Sequence, residues 1–222
     1  MDQDDITEGK IVVTDFQTQG KGQRGSLWLS EKGKNLLFSL LLKPHFLKAT
    51  DVYLLNIIIG LAIRSTLVEL VRGGDICLKW PNDVYVDGNK IAGILIETSL
   101  QRNSIQDAVV GIGLNVNQSH FSNLLATSLK IITGKTFNLY EVLEKILVQI
   151  EDYYHLLRAE EKGKILHEYH KAMLWKGELH TFQARDKKIE GVILGVNSTG
   201  NLVIDCNGSQ KVFGVKEITF LS

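Results

Sequence analysis

The chain has 222 residues, 44% hydrophobic and 23% charged, enough to bury a core of ordinary size. Lysine plus arginine balances aspartate plus glutamate at 25 each, so no global basic field draws in nucleic acid and an anionic ligand must be met by local groups. The longest apolar stretch, Leu54 to Ile63, is interrupted by Asn56 and Gly60 and closed by Arg64, too short to span a bilayer; the acidic start Met1-Asp2-Gln3-Asp4-Asp5 is unlike a targeting peptide, which predicts a cytoplasmic protein with no membrane partner.

In chain order, Ile11-Val12-Val13 reads as a buried strand that delivers the chain into a glycine-rich loop, Gly20 to Gly25, and Asn35 to Leu42 reads as a second strand. Asp51 to Arg72 carries Val52, Leu55, Ile59, Ile63 and Leu67 at helical spacing, with Thr50 or Asp51 as cap and Gly73-Gly74 as stop. Short strands follow at Ile76 to Trp80 and Val84 to Val86, and Asp87-Gly88 is a two-residue hairpin signal leading into Lys90 to Glu97. Ala108 to Val116 completes a largely antiparallel sheet. Leu139 to Arg158 shows Val142, Ile146, Ile150, Tyr153 and Leu157 on one helical face, and a second amphipathic piece runs to about Tyr169.

After Trp175 the pattern shortens to β-like runs, Glu178 to Ala184, Ile189 to Val196, Leu202 to Cys206 and Lys211 to Val215, which predicts a small barrel or sandwich packed on the larger unit. Cys77 and Cys206 lie far apart in apolar, strand-like contexts and read as reduced packing residues. His167 and His170 offer only two metal ligands and read as surface histidines, so no metal site is expected.

Gly20-Lys21-Gly22-Gln23-Arg24-Gly25 satisfies G-x-G-x-x-G, but no helix follows to hold a pyrophosphate, which argues against a dinucleotide fold. Ser26 follows Gly25 without the lysine of a Walker A loop, and the H-R-D and D-F-G elements of protein kinases are missing. The loop still offers backbone N–H groups with Lys21 and Arg24, suited to a phosphate, or else a solvated turn. With Asp87-Gly88 as the turn, Tyr85 faces Lys90, so Asp83 and Lys90 share a sheet face as diagonal neighbours. Pro81 breaks regular pairing beside Trp80. Gly111 and Gly113 sit one residue apart in a strand, which signals close approach of a ligand or of backbone, and Asn115 and Asn117 share a face that could read a polar ring edge.

Taken in order, Gln17 to Trp28, Lys79-Trp80-Pro81-Asn82-Asp83, Lys90 to Glu97 and Gly111 to Asn117 resemble the biotin protein ligase family, over nearly the whole chain. The resemblance implies an α+β fold, a mixed, largely antiparallel sheet packed on helices in residues 1–173, followed by an SH3-like barrel in residues 174–222. It implies two steps: the biotin carboxylate attacks the α-phosphate of ATP, with Mg²⁺, to give biotinoyl adenylate and pyrophosphate; a lysine of a biotin carboxyl carrier protein then attacks the anhydride. By the same resemblance, Gln17, Gly20, Lys21, Gly22, Gln23, Arg24 and Gly93 bind biotin and adenylate, Trp28 lies near the nucleotide, and Asn115 helps receive the adenine. Lys90 contacts the biotin carboxyl and α-phosphate, and Asp83 orients it or assists the incoming amine.

Two departures stand out. Gln23 and Ser26 occupy positions where the family's loop carries arginines, which shifts phosphate charge to Lys21, Arg24 and Lys90. The family's Ser/Thr-Thr-Asn segment has no counterpart in Met1 to Lys10, and the short N-terminus leaves no room for a DNA-binding helix-turn-helix, so no direct DNA binding is expected. A lipoate ligase or octanoyl transferase relative, and a degenerate non-catalytic biotin-binding module, are the alternatives. Pairing of two copies into a homodimer through a sheet edge stays open.

Overall fold

The computed structural model describes residues 7–25, 27–122 and 125–221. Six strands, β1 (Ile11–Thr14), β2 (Leu36–Leu42), β3 (Ile76–Lys79), β4 (Asp83–Val86), β5 (Asn89–Gln101) and β6 (Ser104–Leu114), form a sheet in the order β1-β2-β6-β5-β4-β3. Every neighbouring pair of these strands is antiparallel, and parallel pairing is confined to single bridges such as Leu78 to Met173. The α+β architecture is therefore as expected. In β3 and β4 the alternation is strict: Ile76, Leu78, Val84 and Val86 are buried, while Cys77, Lys79, Asp83 and Tyr85 stand on the opposite face.

The described residues include helix α1 (Tyr53–Leu70), between β2 and β3, and helices α2 (Leu129–Thr133), α3 (Leu139–Arg158) and α4 (Lys162–Ala172), after β6. Helix α1 lies across β3, β4 and β5 and is flanked by α3 and α4. Its buried residues run all the way round the helix, the pattern of a core element rather than of an amphipathic surface helix. Together with the turn before it, Ala49–Leu70 is long and apolar enough by composition to cross a membrane, which corrects the sequence estimate of a short stretch; here that apolar surface is spent on the sheet and on α3. Neither Thr50 nor Asp51 caps α1, because the chain enters through a 3-10 turn and Asp51 Oδ2 accepts from Lys162 Nζ at 2.7 Å. On α3 the buried tyrosine is Tyr154, not Tyr153, which is half-buried and donates its hydroxyl to Glu168.

β1 is not buried as expected. Among the described residues it is an edge strand, paired only with β2, and Val12 is 59% exposed. Asn117 falls beyond the end of β6 and uses both ends of its amide on the Phe137 backbone, so it holds a loop rather than reading a ligand. The expectation for Met1 to Lys10 falls largely on residues 1–6, outside the described structure.

The C-terminal strands are β7 (Leu179–Ala184), β8 (Lys187–Val196), β9 (Leu202–Cys206), β10 (Ser209–Phe213) and β11 (Ile218–Phe220), all antiparallel in the order β10-β9-β8-β7-β11. This is an open five-stranded sheet with β10 and β11 at its edges. It is fastened to the larger unit. Trp80 Nε1 donates to the Gly200 carbonyl at 2.9 Å, the Tyr53 ring presses on Gly200, and Val196 N–H donates to His170 Nε2 at 3.1 Å. His170 is thus a joint residue rather than a free surface histidine, and burial with Lys176 and His167 nearby holds its pKa below the ordinary histidine value. Both cysteines are free and half-buried, and burial with the adjacent Asp75 pushes the Cys77 thiol up to about 12.

Candidate active site

On the sheet face away from α1, a cavity of about 560 Å³ is lined by the 17–28 loop, by β2 to β6 and by β11. Its floor is made of backbone. A Cβ on Gly113 would stand 2.5 Å from Trp28 Cε2, and one on Gly93 would stand 3.1 Å from Trp28 Cζ3, so the indole lies directly on two adjacent strands. Gly111 also lines the cavity, but a Cβ there would meet only ordinary contacts.

The loop that supplies Trp28 is pinched at its base. Trp28 N–H donates to the Gly20 carbonyl at 2.9 Å, and a Cβ on Gly20 would come within 2.4 Å of the Trp28 carbonyl oxygen, so only glycine lets the two chain segments approach. Lys21 pairs with Leu27 above that pinch, and a 3-10 turn at Gln23–Gly25 closes the tip. Gln17, Lys21, Gly22 and Gln23 line the cavity; Gly20 does not, and the side chain of Arg24 lies outside the described structure.

The β4–β5 hairpin provides the charges. Asp87 and Gly88 both have positive φ, 48° and 76°, the type I′ geometry that the Asp-Gly pair predicts. Tyr85 faces Lys90 as expected, but the register then slips: Val84 pairs with Ala92 and Asp83 with Gly93. The extra residue lets Ile91 and Ala92 both point into the core, each fully buried, while Lys90 and Gly93 stay on the cavity side. Lys90 Nζ and Asp83 Oδ1 form an ion pair of 2.6 Å, with side chains 32% and 21% exposed, and Nζ lies 5.5 Å from the centre of the Trp28 ring. The Lys90 backbone is fixed from the far side, donating to Leu125 O and accepting from Thr127 N.

Asn115 is buried past the end of β6 and does not line the cavity; its Nδ2 donates to the Thr127 carbonyl, while among the described residues Oδ1 has no partner. Trp28 Nε1 is likewise buried and unpartnered. Of the two, only Trp28 lines the cavity, and its indole N–H is a donor that a ligand acceptor would satisfy.

Several lining residues belong to the Lys79 to Asp83 motif but had no role assigned from sequence. Trp80 and Asn82 brace the turn around the cis Trp80-Pro81 bond, Asn82 donating to the Ile94 carbonyl. Lys79 faces the cavity from β3, and β11 brings Thr219 and Phe220 to its rim. The only signal for β11 was a three-residue apolar alternation.

The first half of this chain, residues 1–115, matches the model of the biotin/lipoate A/B protein ligase family. The chain belongs to that family. Over 98% of its length it superposes on a biotin protein ligase from Aquifex aeolicus in complex with biotin and ATP, with a TM-score of 0.82, 31% identity and 90% of that chain covered. Among curated family relatives, it is 30% identical over 215 residues to the bifunctional ligase/repressor BirA of Bacillus subtilis, and 28% identical over 211 residues to biotin–protein ligase 2 of Arabidopsis thaliana. It spans 65% and 63% of the length of those two family relatives.

Proposed function

We propose that this chain activates biotin with ATP to biotinoyl adenylate and transfers the biotin to a lysine of a biotin carboxyl carrier protein. The observation that carries the reading is the Lys90–Asp83 ion pair beside a glycine floor roofed by Trp28, in a chain with 31% identity to a ligase solved with biotin and ATP. Bringing a carboxylate up to a phosphate sets anion against anion, and a fixed cation at the meeting point lowers that barrier. Lys90 supplies the cation. Asp83 holds its Nζ over the floor and, in this reading, would accept in the second step the proton that the attacking amine gives up.

Trp28 and the pinched loop screen the labile adenylate from water. The buried Asn115 Oδ1 would accept from the adenine amino group, and Gln17 with the Lys21 to Gln23 stretch would take the remaining polar atoms of biotin and phosphate. Asp83 and Glu97 are the carboxylates among the lining residues, which fits a Mg²⁺ that arrives with the nucleotide and keeps mostly phosphate and water ligands. Bound Mg²⁺ would neutralise phosphate charge. In this reading residues 1–173 are the catalytic unit, residues 174–222 an SH3-like barrel, and the enzyme is cytoplasmic.

Thermal melting of the full chain with biotin or lipoate, each with ATP and Mg²⁺, tests the substrate; the reading expects stabilisation by biotin and release of pyrophosphate. Stabilisation by lipoate alone, or biotin binding without pyrophosphate release, would contradict it.

A further inference from the structure

Lys79 is a cation of the cavity wall that the chemistry above leaves without a task. It ends β3 on the ligand face, directly across the ladder from Asp83. Its Nζ donates to Tyr85 Oη at 3.2 Å and lies 4.9 Å from the centre of the Tyr85 ring and 5.3 Å from that of Phe220. Among the described residues no carboxylate comes within ion-pair distance of this ammonium, and Asp83 Oδ1 is held by Lys90. Tyr85 cannot neutralise it either: burial and Asp83 push that phenol up to about 12, so it stays uncharged.

A half-buried ammonium between two rings has given up hydration that cation–π contacts replace only in part. Burial, reinforced by Lys90 and opposed by Asp83, accordingly holds the Lys79 pKa below the ordinary lysine value. The charge is satisfied when an anion enters the cavity. Its place in the sheet says which anion. Across the ligand face the order runs from Gly113 on β6, through Gly93 on β5, to the Lys90–Asp83 pair, and then to Lys79 on β3. Outer phosphates that extend from Lys90 toward β3 meet Lys79.

We infer that Lys79 is a second phosphate seat, which binds the pyrophosphoryl end of ATP and stabilises pyrophosphate as the leaving group of the first half-reaction. The inference rests on the ligase reading. In that step the biotin carboxylate oxygen bonds to the α-phosphorus, and the bond from that phosphorus to the bridging oxygen breaks. The electron pair departs with pyrophosphate, and Lys79 meets the charge that builds there. Phe220 makes the C-terminal sheet part of this seat, since its ring forms one wall around Nζ.

The test compares the full chain with its Lys79→Met and Lys79→Arg variants, each checked for a cooperative melt. Losing one hydrogen bond to a charged group is expected to raise both the KM for ATP in biotin-dependent ATP–pyrophosphate exchange and the inhibition constant of inorganic pyrophosphate by about ten-fold or more in Lys79→Met. Lys79→Arg should recover most of that loss, and transfer to a carrier from supplied biotinoyl adenylate should stay close to the parent rate. Unchanged pyrophosphate inhibition in folded Lys79→Met overturns the seat, as does slowed transfer with exchange intact, which would place Lys79 on the acceptor side. Failure of the ligase reading looks different: the parent chain would then show no biotin-dependent exchange. Calorimetry with inorganic pyrophosphate on the parent and on Lys79→Met would still decide the seat itself.

Discussion

The two faces of the six-stranded sheet are built by opposite rules. Toward α1 the strands present Ile76, Leu78, Val84, Val86 and Ile91, all buried, and the face is filled by side chains. Toward the cavity they present Gly93, Gly111 and Gly113, and the face is kept clear so that Trp28 and a ligand can lie on backbone. Residues one position apart in sequence therefore do different jobs: Leu78 holds the fold, and Lys79 beside it faces the cavity. The difference teaches where substitutions will be felt, in stability on one face and in chemistry on the other.

Three changes would break or sharpen that contrast. The largest effect on folding is expected from Leu78→Ala, which opens a void beneath α1 and should cost about 2–5 kcal/mol in denaturant unfolding, while the molecules that remain folded keep their ligand affinity. Gly113→Val should do the reverse. Its Cβ would collide with the indole, and a misplacement of about 1 Å in the site is enough to cut biotin-dependent pyrophosphate release roughly 100-fold, with a smaller change in melting temperature. Unimpaired turnover in that variant would mean that the glycine floor is incidental.

The smallest effect lies outside both faces. Burial raises the Glu8 pKa, but the Tyr154 hydroxyl, the Lys43 N–H and Arg158 outweigh it and hold the carboxyl below its ordinary value of 4.5. A carboxyl depressed in the folded state contributes stability above its unfolded pKa and loses it as pH falls through the folded value. Glu8→Gln should therefore lower stability slightly at neutral pH and flatten the acid limb below about pH 4.5, with activity untouched at pH 7; a parallel downward shift of the whole profile would remove the role of ionisation.

Much of this was legible in the chain. The Asp87-Gly88 turn set the pairing of Val86 with Asn89 and of Tyr85 with Lys90, which leaves Asp83 on the same face as Lys90 even though a bulge then moves it opposite Gly93. The slip after Lys90 left no such trace, since Ile91-Ala92 is no more distinctive than Ile94-Leu95-Ile96 in the same strand. What could not be read depended on distant partners. Ile11-Val12-Val13 has the composition of a buried strand, and only the strand order makes it an edge. Asp51 looks like a helix cap until Lys162, far along the chain, takes its carboxylate. The site was legible where one segment carried it and obscure where β11, Lys79 and Trp80 reach it through packing between the two sheets.

The central claim is that Lys90 supplies charge to the chemistry and little to the fold. Biotin-dependent ATP–pyrophosphate exchange, measured beside denaturant unfolding on the parent chain and on Lys90→Ala, tests it directly. The account predicts that exchange falls by about 10²–10³-fold, the loss typical of a single preorganised group at a developing charge. Unfolding should move by no more than about 1 kcal/mol, as expected for a partly exposed ion pair. Exchange that survives in folded Lys90→Ala, or exchange lost only in step with unfolding, would contradict it.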